Sequence, residues 1–119
     1  MRKILVVDDS PTARAFMVET LSGKGYHILT AVDGDEALHK ASTEHPDLIL
    51  LDVMMPGKNG FHVCRQLKAE ATTKSIKIIM VTSKNQQSDR VWGLKQGADA
   101  YLTKPFDTAE LLVTIAKCL

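Results

Sequence analysis

Five short apolar runs, each followed by an amphipathic stretch, constrain this 119-residue chain more than any other feature. The strand candidates are 3–8, 26–31, 48–52, 77–82 and 100–103, short and rich in β-branched residues. Between them the apolar residues recur at helical spacing. Ser10 is a good N-cap and Pro11 suits a first-turn position, so a helix opens there with Ala13, Phe16, Met17 and Leu21 inward. Gly23 and Gly25 stop it. Ala37, Leu38 and Ala41 mark a second helix, and Phe61, Cys64 and Leu67 a third. A fourth begins near Gln86 and ends at Gly97. The fifth starts at Asp107, with Glu110 three residues on, and turns Leu111, Leu112, Ile115 and Leu119 to one face.

Strict strand–helix alternation calls for an α/β fold with a doubly wound parallel sheet. The first, third and fourth strands are nearly unbroken apolar runs, as central strands covered on both faces require. The second carries His27 and Thr30, and the fifth Tyr101 and Thr103, which suits edges. The order 2-1-3-4-5 meets these demands and keeps each crossover right-handed. The length fits one domain over residues 1–119, and no repeat or linker interrupts it.

In such a sheet, ligands bind beyond the carboxyl ends of the strands, where the winding reverses. That point lies between the first and third strands. It brings Asp8 and Asp9 beside Asp52, with Thr82 and Lys104 from the ends of the fourth and fifth strands. Each residue alone has a plain structural explanation, as a cap, a turn or a solvated charge. Together they converge on one crevice. Three neighbouring carboxylates repel one another unless a cation sits among them, and oxygen-only ligands suit Mg²⁺ or Mn²⁺. Asp52 can then act as a nucleophile toward phosphorus. Lys104 supplies a charge that pairs with Asp52 before transfer and with phosphate after it. The Thr82 hydroxyl can donate to a phosphoryl oxygen.

Composition narrows the partners. Fifteen Lys+Arg against fourteen Asp+Glu leave a net charge of +1, which offers no case for direct binding to nucleic acid or an anionic membrane. No apolar run approaches a membrane span, and residues 1–9 do not read as a signal peptide, so a cytoplasmic protein is expected. Cys64 and Cys118 read as reduced thiols within helices. His27, His39, His45 and His62 lack metal-ligand spacing and read as surface residues. Trp92 reads as a packing residue of the fourth helix.

The segments ILVVDDS, VDGDEAL, PDLILLDVMMPGKNGF, IIMVTS and GADAYLTKPF resemble the response-regulator receiver domains of two-component signalling, the CheY-like superfamily. The likeness runs through nearly the whole chain. It implies a flavodoxin-like (βα)5 fold, with Asp52 phosphorylated by a sensor histidine kinase or phosphotransfer protein. It also implies Asp9 as a direct Mg²⁺ ligand, Asp8 acting mainly through water, and the Met54 backbone carbonyl as a further ligand. Thr82 and Lys104 match the family hydroxyl and lysine, and Lys104-Pro105 the position of a cis peptide. Tyr101 matches an aromatic that turns inward when the hydroxyl is drawn to phosphate. Met54 and Lys84 occupy positions that tune phosphate lifetime; neither orients an attacking water, so slow self-dephosphorylation is expected. Ser83 stands where the family prefers Ala or Gly.

DRVWGLKQGADAYLTKPF is further similar to stand-alone regulators of type IV pilus (twitching) chemosensory systems. The expected output is a downstream protein bound through the fourth helix, fifth strand and fifth helix, by a monomer or a phosphorylation-dependent dimer. Three other readings compete. A phosphatase of the haloacid dehalogenase kind would need a D-x-D motif where this chain has adjacent aspartates. A flavin module would need a hydroxyl-rich loop there. A receiver portion of a longer DNA-binding regulator fits the same residues.

Overall fold

The computed structural model describes all 119 residues. In chain order the elements are β1 (Lys3–Val7), α1 (Pro11–Leu21), β2 (His27–Ala31), α2 (Gly34–Glu44), β3 (Leu48–Leu51), α3 (Gly60–Ala69), β4 (Lys77–Thr82), α4 (Gln87–Lys95), β5 (Ala100–Thr103) and α5 (Thr108–Cys118). The strands form one parallel sheet in the expected order, β2-β1-β3-β4-β5. No helix is long and apolar enough to cross a membrane.

Alternation along the central strands builds two cores. Ile4, Val6, Leu48, Leu50, Ile79 and Val81 point to one face, where Met17 and Leu21 of α1 and Leu111 and Ile115 of α5 cover them. Leu5, Val7, Ile49, Leu51, Ile78 and Met80 point to the other, under Ala37 and Ala41 of α2 and Val63, Cys64 and Leu67 of α3. Each fully buried aliphatic side chain contributes about 1.5–3 kcal/mol, so β1 and β3 fix the sheet.

Helix starts are set by short polar side chains. Ser10 Oγ accepts from the Ala13 N–H at 3.2 Å, Asp33 from Glu36 at 2.8 Å, and Asn59 from His62 at 3.0 Å. At α4 the reciprocal bond runs backwards, with Asp89 Oδ2 accepting from the Gln86 N–H at 3.2 Å. Gly23 and Gly25 adopt positive φ, which lets the chain turn from α1 into β2. The four histidines all lie exposed, as expected.

Two expectations about helix faces fail. Phe16 is not inward: it is 48% exposed and lies tilted against Phe106, ring centroids 5.7 Å apart. Met17, one position round the helix, is in the core as expected. Trp92 is not a packing residue either, being 50% exposed. The only buried residue of α4 is Gly93. An added Cβ there would come within 2.8 Å of Met80 Sδ and 3.0 Å of the Tyr101 ring, so α4 sits on the sheet by an absent side chain.

Burial also sets an alkaline limit. Desolvation pushes the Cys64 thiol from 9.0 to about 12. It also pushes the Tyr101 phenol from 10.0 to about 12, with the Asp89 and Asp52 charges adding to the shift. Both folded values lie above the unfolded ones. The stability tied to these groups is therefore complete below pH 9 and is lost as pH rises toward about 12, because the unfolded chain ionises first. Between pH 9.0 and 10.0 the unfolding free energy should fall by about 1 kcal/mol. Most of that fall should vanish in Cys64→Ala. Urea titrations at the two pH values check it, and a flat wild-type profile would contradict the burial of the thiol.

Candidate functional site

The register of β1 on β3 pairs Val7 with Leu51, so the residues that follow, Asp8 and Asp52, leave the sheet side by side. Their backbones are anchored there: the Asp52 N–H donates to Val7 O at 3.0 Å, and the Asp8 N–H to Ala31 O at 3.2 Å. Asp8 is fully buried and Asp52 is 6% exposed, whereas Asp9 faces solvent. Carboxylate oxygens of the three lie within 4.8 Å of one another.

The two buried carboxylates are held alike. Asp8 Oδ1 accepts from the Ser10 N–H at 2.9 Å, and Asp52 Oδ1 from the Met54 N–H at 3.0 Å. Each turns its other oxygen to Lys104 Nζ, at 2.6 Å for Asp8 and 3.4 Å for Asp52. Lys104 thus bridges both, and its shorter contact is with Asp8, a pairing that sequence placed on Asp52 alone. Burial by itself would lower the lysine's pKa. The Asp8 hydrogen bond and the charges of Asp52 and Asp8 outweigh it, and the pKa stands above 10.5. Asp9 takes part in no ion pair.

Thr82 ends β4, fully buried. Its carbonyl accepts from the Lys104 N–H at 2.8 Å, which ties the lysine's backbone to the site. Its Oγ1 accepts from the Lys84 N–H at 3.3 Å, leaving the hydroxyl proton free to donate. Tyr101 is 2% exposed, and its hydroxyl donates to Lys84 O at 2.8 Å. The ring is thus turned inward. Gly93 leaves it the room, and the Lys84 carbonyl supplies the polar partner that a buried phenol needs. Arg90 Nη1 donates to Tyr101 O at 3.2 Å. Lys84 Nζ lies 3.6 Å from Asp89 Oδ1, linking the β4–α4 loop to the first turn of α4.

Met54 is 54% exposed, with its sulfur 3.3 Å from Ser83 Oγ. The Lys104-Pro105 peptide is cis. Asp8, Asp9, Asp52, Met54, Thr82, Lys84 and Lys104 thus gather at one end of the sheet, and the Tyr101 hydroxyl reaches them through Lys84 O. Sequence missed Gly60 and Gly93, which carry no chemistry and act by letting backbones approach. It also missed Arg14, whose Nη1 donates to Asp8 O at 2.8 Å.

Comparison with known proteins agrees with this geometry. Residues 4–116 match the response regulator receiver domain. The chain is 47% identical over 115 residues to protein PilH of Pseudomonas aeruginosa, covering 97% of this chain and 95% of that protein. It is 47% identical over 110 residues to the alkaline phosphatase synthesis transcriptional regulatory protein PhoP of Bacillus subtilis, covering 92% of this chain but 45% of that protein. The response regulator PleD of Caulobacter vibrioides matches at 43% over 113 residues, covering 95% of this chain and only 25% of PleD. The chain therefore spans nearly the whole of PilH and less than half of the other two. Among solved structures, the chemotaxis protein CheY4 of Vibrio cholerae superposes with a TM-score of 0.93 at 37% identity, over 100% of this chain and 99% of that one. With a matching sheet order, a matching family model and relatives of this identity, the chain belongs to the response regulator receiver domain family of two-component signalling.

Proposed function

We propose that Asp52 is the phosphoacceptor of this receiver, and that its modification switches a protein-binding surface. The observation that carries this is a buried carboxylate at the sheet's switch point, held by one backbone N–H and facing a lysine shared with Asp8. The donor is the phosphohistidine of a sensor histidine kinase or phosphotransfer protein. A carboxylate oxygen of Asp52 attacks phosphorus; the new O–P bond forms as the P–N bond breaks, and its electron pair returns to the imidazole ring. Lys104 holds charge beside the transferred group. Thr82, with its hydroxyl proton free, donates to a phosphoryl oxygen.

The donor set fits a hard divalent cation. Three carboxylates share one lysine, so negative charge is in excess, and every candidate ligand atom is oxygen. Asp9 and Asp52 with the Met54 carbonyl would hold Mg²⁺ or Mn²⁺. Lys104 holds Asp8 at 2.6 Å against 3.4 Å for Asp52, which supports an indirect role for Asp8. When bound, the ion neutralises charge on the transferring phosphoryl group.

Met54 and Lys84 border the site without an acid or amide to orient water, which supports a long-lived phosphorylated state. Downstream, α4 presents Val91 and Leu94 and α5 presents Val113 to solvent, on either side of β5, a surface suited to a protein target. Lys84 joins the Thr82 hydroxyl, Tyr101 and Asp89 of α4, so a change at Asp52 has a short route to that surface. On this reading the protein is a cytoplasmic switch, not a turnover enzyme, acting as a monomer or a phosphorylation-dependent dimer.

Incubation with a small acyl-phosphate donor, with and without Mg²⁺, followed by intact mass, tests the central step. The expected result is a metal-dependent gain of one phosphoryl group that is lost in Asp52→Ala. A gain that persists in that variant would place the chemistry elsewhere.

A further inference from the structure

Beside the phosphorylation site the surface is cut by two depressions, about 510 Å³ and 170 Å³, that share Asn59 and Phe61 and so form one groove. It starts at Asp9 and Met54 and runs between α3 and α4. One wall is the i, i+4 pair Phe61 and Arg65 on α3, and the other is Trp92 on α4 with Gln96, its C-cap. Met54, Met55, Phe61 and Trp92 supply apolar surface. Two of these are conspicuously solvent-facing, Met54 at 54% and Trp92 at 50%. Methionine adapts its shape to an incoming side chain, and a half-exposed tryptophan is a common interface anchor.

Charge along the groove is lopsided. Lys84 is paired with Asp89, but Arg65 has no acidic partner in the fold. Asp9, the single acid of the lining, stands at the opposite end, within the carboxylate cluster. Away from the phosphorylation site the groove therefore keeps two apolar walls, Phe61 and Trp92, among the polar Asn59, His62 and Gln96, with the unpaired Arg65 guanidinium on its rim. That combination fits the apolar stripe of an amphipathic helix with a carboxylate beside it, since Arg binds carboxylates through two parallel hydrogen bonds.

We propose that the α3–α4 groove is a docking site for an acidic amphipathic helix of a partner protein, separate from the α4–β5–α5 surface. It rests on the phosphoacceptor reading only in that such a partner would lie next to Asp52 and contact α4 at once.

Trp92 is the sole tryptophan of the chain, so the site carries its own reporter. The probe is a synthetic helical peptide with leucines at helical spacing and glutamates along one flank, compared with the same peptide carrying lysines instead. The acidic peptide should bind with a blue shift of Trp92 emission, and the basic one should not. Arg65→Glu should weaken the acidic peptide by about tenfold or more and improve the basic one, while acyl-phosphate uptake stays at the wild-type level. Equal binding of both peptides, no emission change, or indifference to Arg65→Glu would overturn the proposal. Uptake is measured on the same samples, so loss of phosphorylation at Asp52 would count against that reading and not against the groove.

Discussion

Gly60→Ala is expected to destabilise the fold by about 3 kcal/mol or more, one of the largest effects any single methyl group can have here. An added Cβ would lie 2.3 Å from Asp52 O, 2.7 Å from Val53 Cα and 2.9 Å from Asp52 C. These are all backbone atoms of the segment that carries the proposed phosphoacceptor, and the same segment accepts the Gly60 N–H at Val53 O, 2.9 Å away. Relief requires the start of α3 to lift off the β3 end, which breaks that bond and moves Asp52. Gly34 is the useful contrast. Its nearest neighbour would be Val63 Cγ2 at 2.8 Å, a side-chain end that can turn. Lys58 Cβ at 3.0 Å and Lys58 O at 3.3 Å are looser than the 2.3 Å backbone contact at Gly60, so Gly34→Ala should cost less. Urea midpoints of the two variants decide it. A Gly60→Ala protein within about 0.5 kcal/mol of wild type would show that the close approach is not needed.

Lys104→Met should come second, lowering stability by about 2–4 kcal/mol in the absence of divalent cations. Removing the ammonium leaves Asp8, with no exposure to water, and Asp52, nearly as buried, facing each other without a cation. Methionine matches the lysine stem in length, so the loss reports charge more than packing. Adding Asp8→Asn to Lys104→Met should restore much of the stability, a coupling that a double-mutant cycle measures directly. Mg²⁺ should restore part of it in the single variant, by binding the folded state alone. If Lys104→Met unfolds at the wild-type urea concentration, the lysine does not hold the acidic cluster together.

The sheet and its order were legible because the runs ILVV and LILL leave no polar position for solvent, which forces β1 and β3 to the centre. The meeting of Asp8, Asp9, Asp52, Thr82 and Lys104 followed from strand order, since all five sit at or just past strand ends. Finer choices were hidden. Phe16 and Met17 are adjacent apolar residues, and helical spacing alone does not say which faces the sheet. On α4, Val91, Trp92 and Leu94 look like a core stripe, yet Gly93 takes the buried side. A glycine that packs by lacking a side chain leaves no hydrophobic signal to read. That Lys104 lies closer to Asp8 than to Asp52 is set by side-chain geometry at two aspartates that sequence presents as equals.

Seating α4 on a single glycine has an energetic consequence for signalling. With no large side chain in the core, the helix forfeits most of the burial that anchors α1, α3 and α5. Its local opening free energy should lie well below that of global unfolding. Amide exchange would then run faster in α4 than in the other helices. Moving this helix costs little, so contacts as few as those joining Thr82, Lys84 and Tyr101 suffice to bias its position.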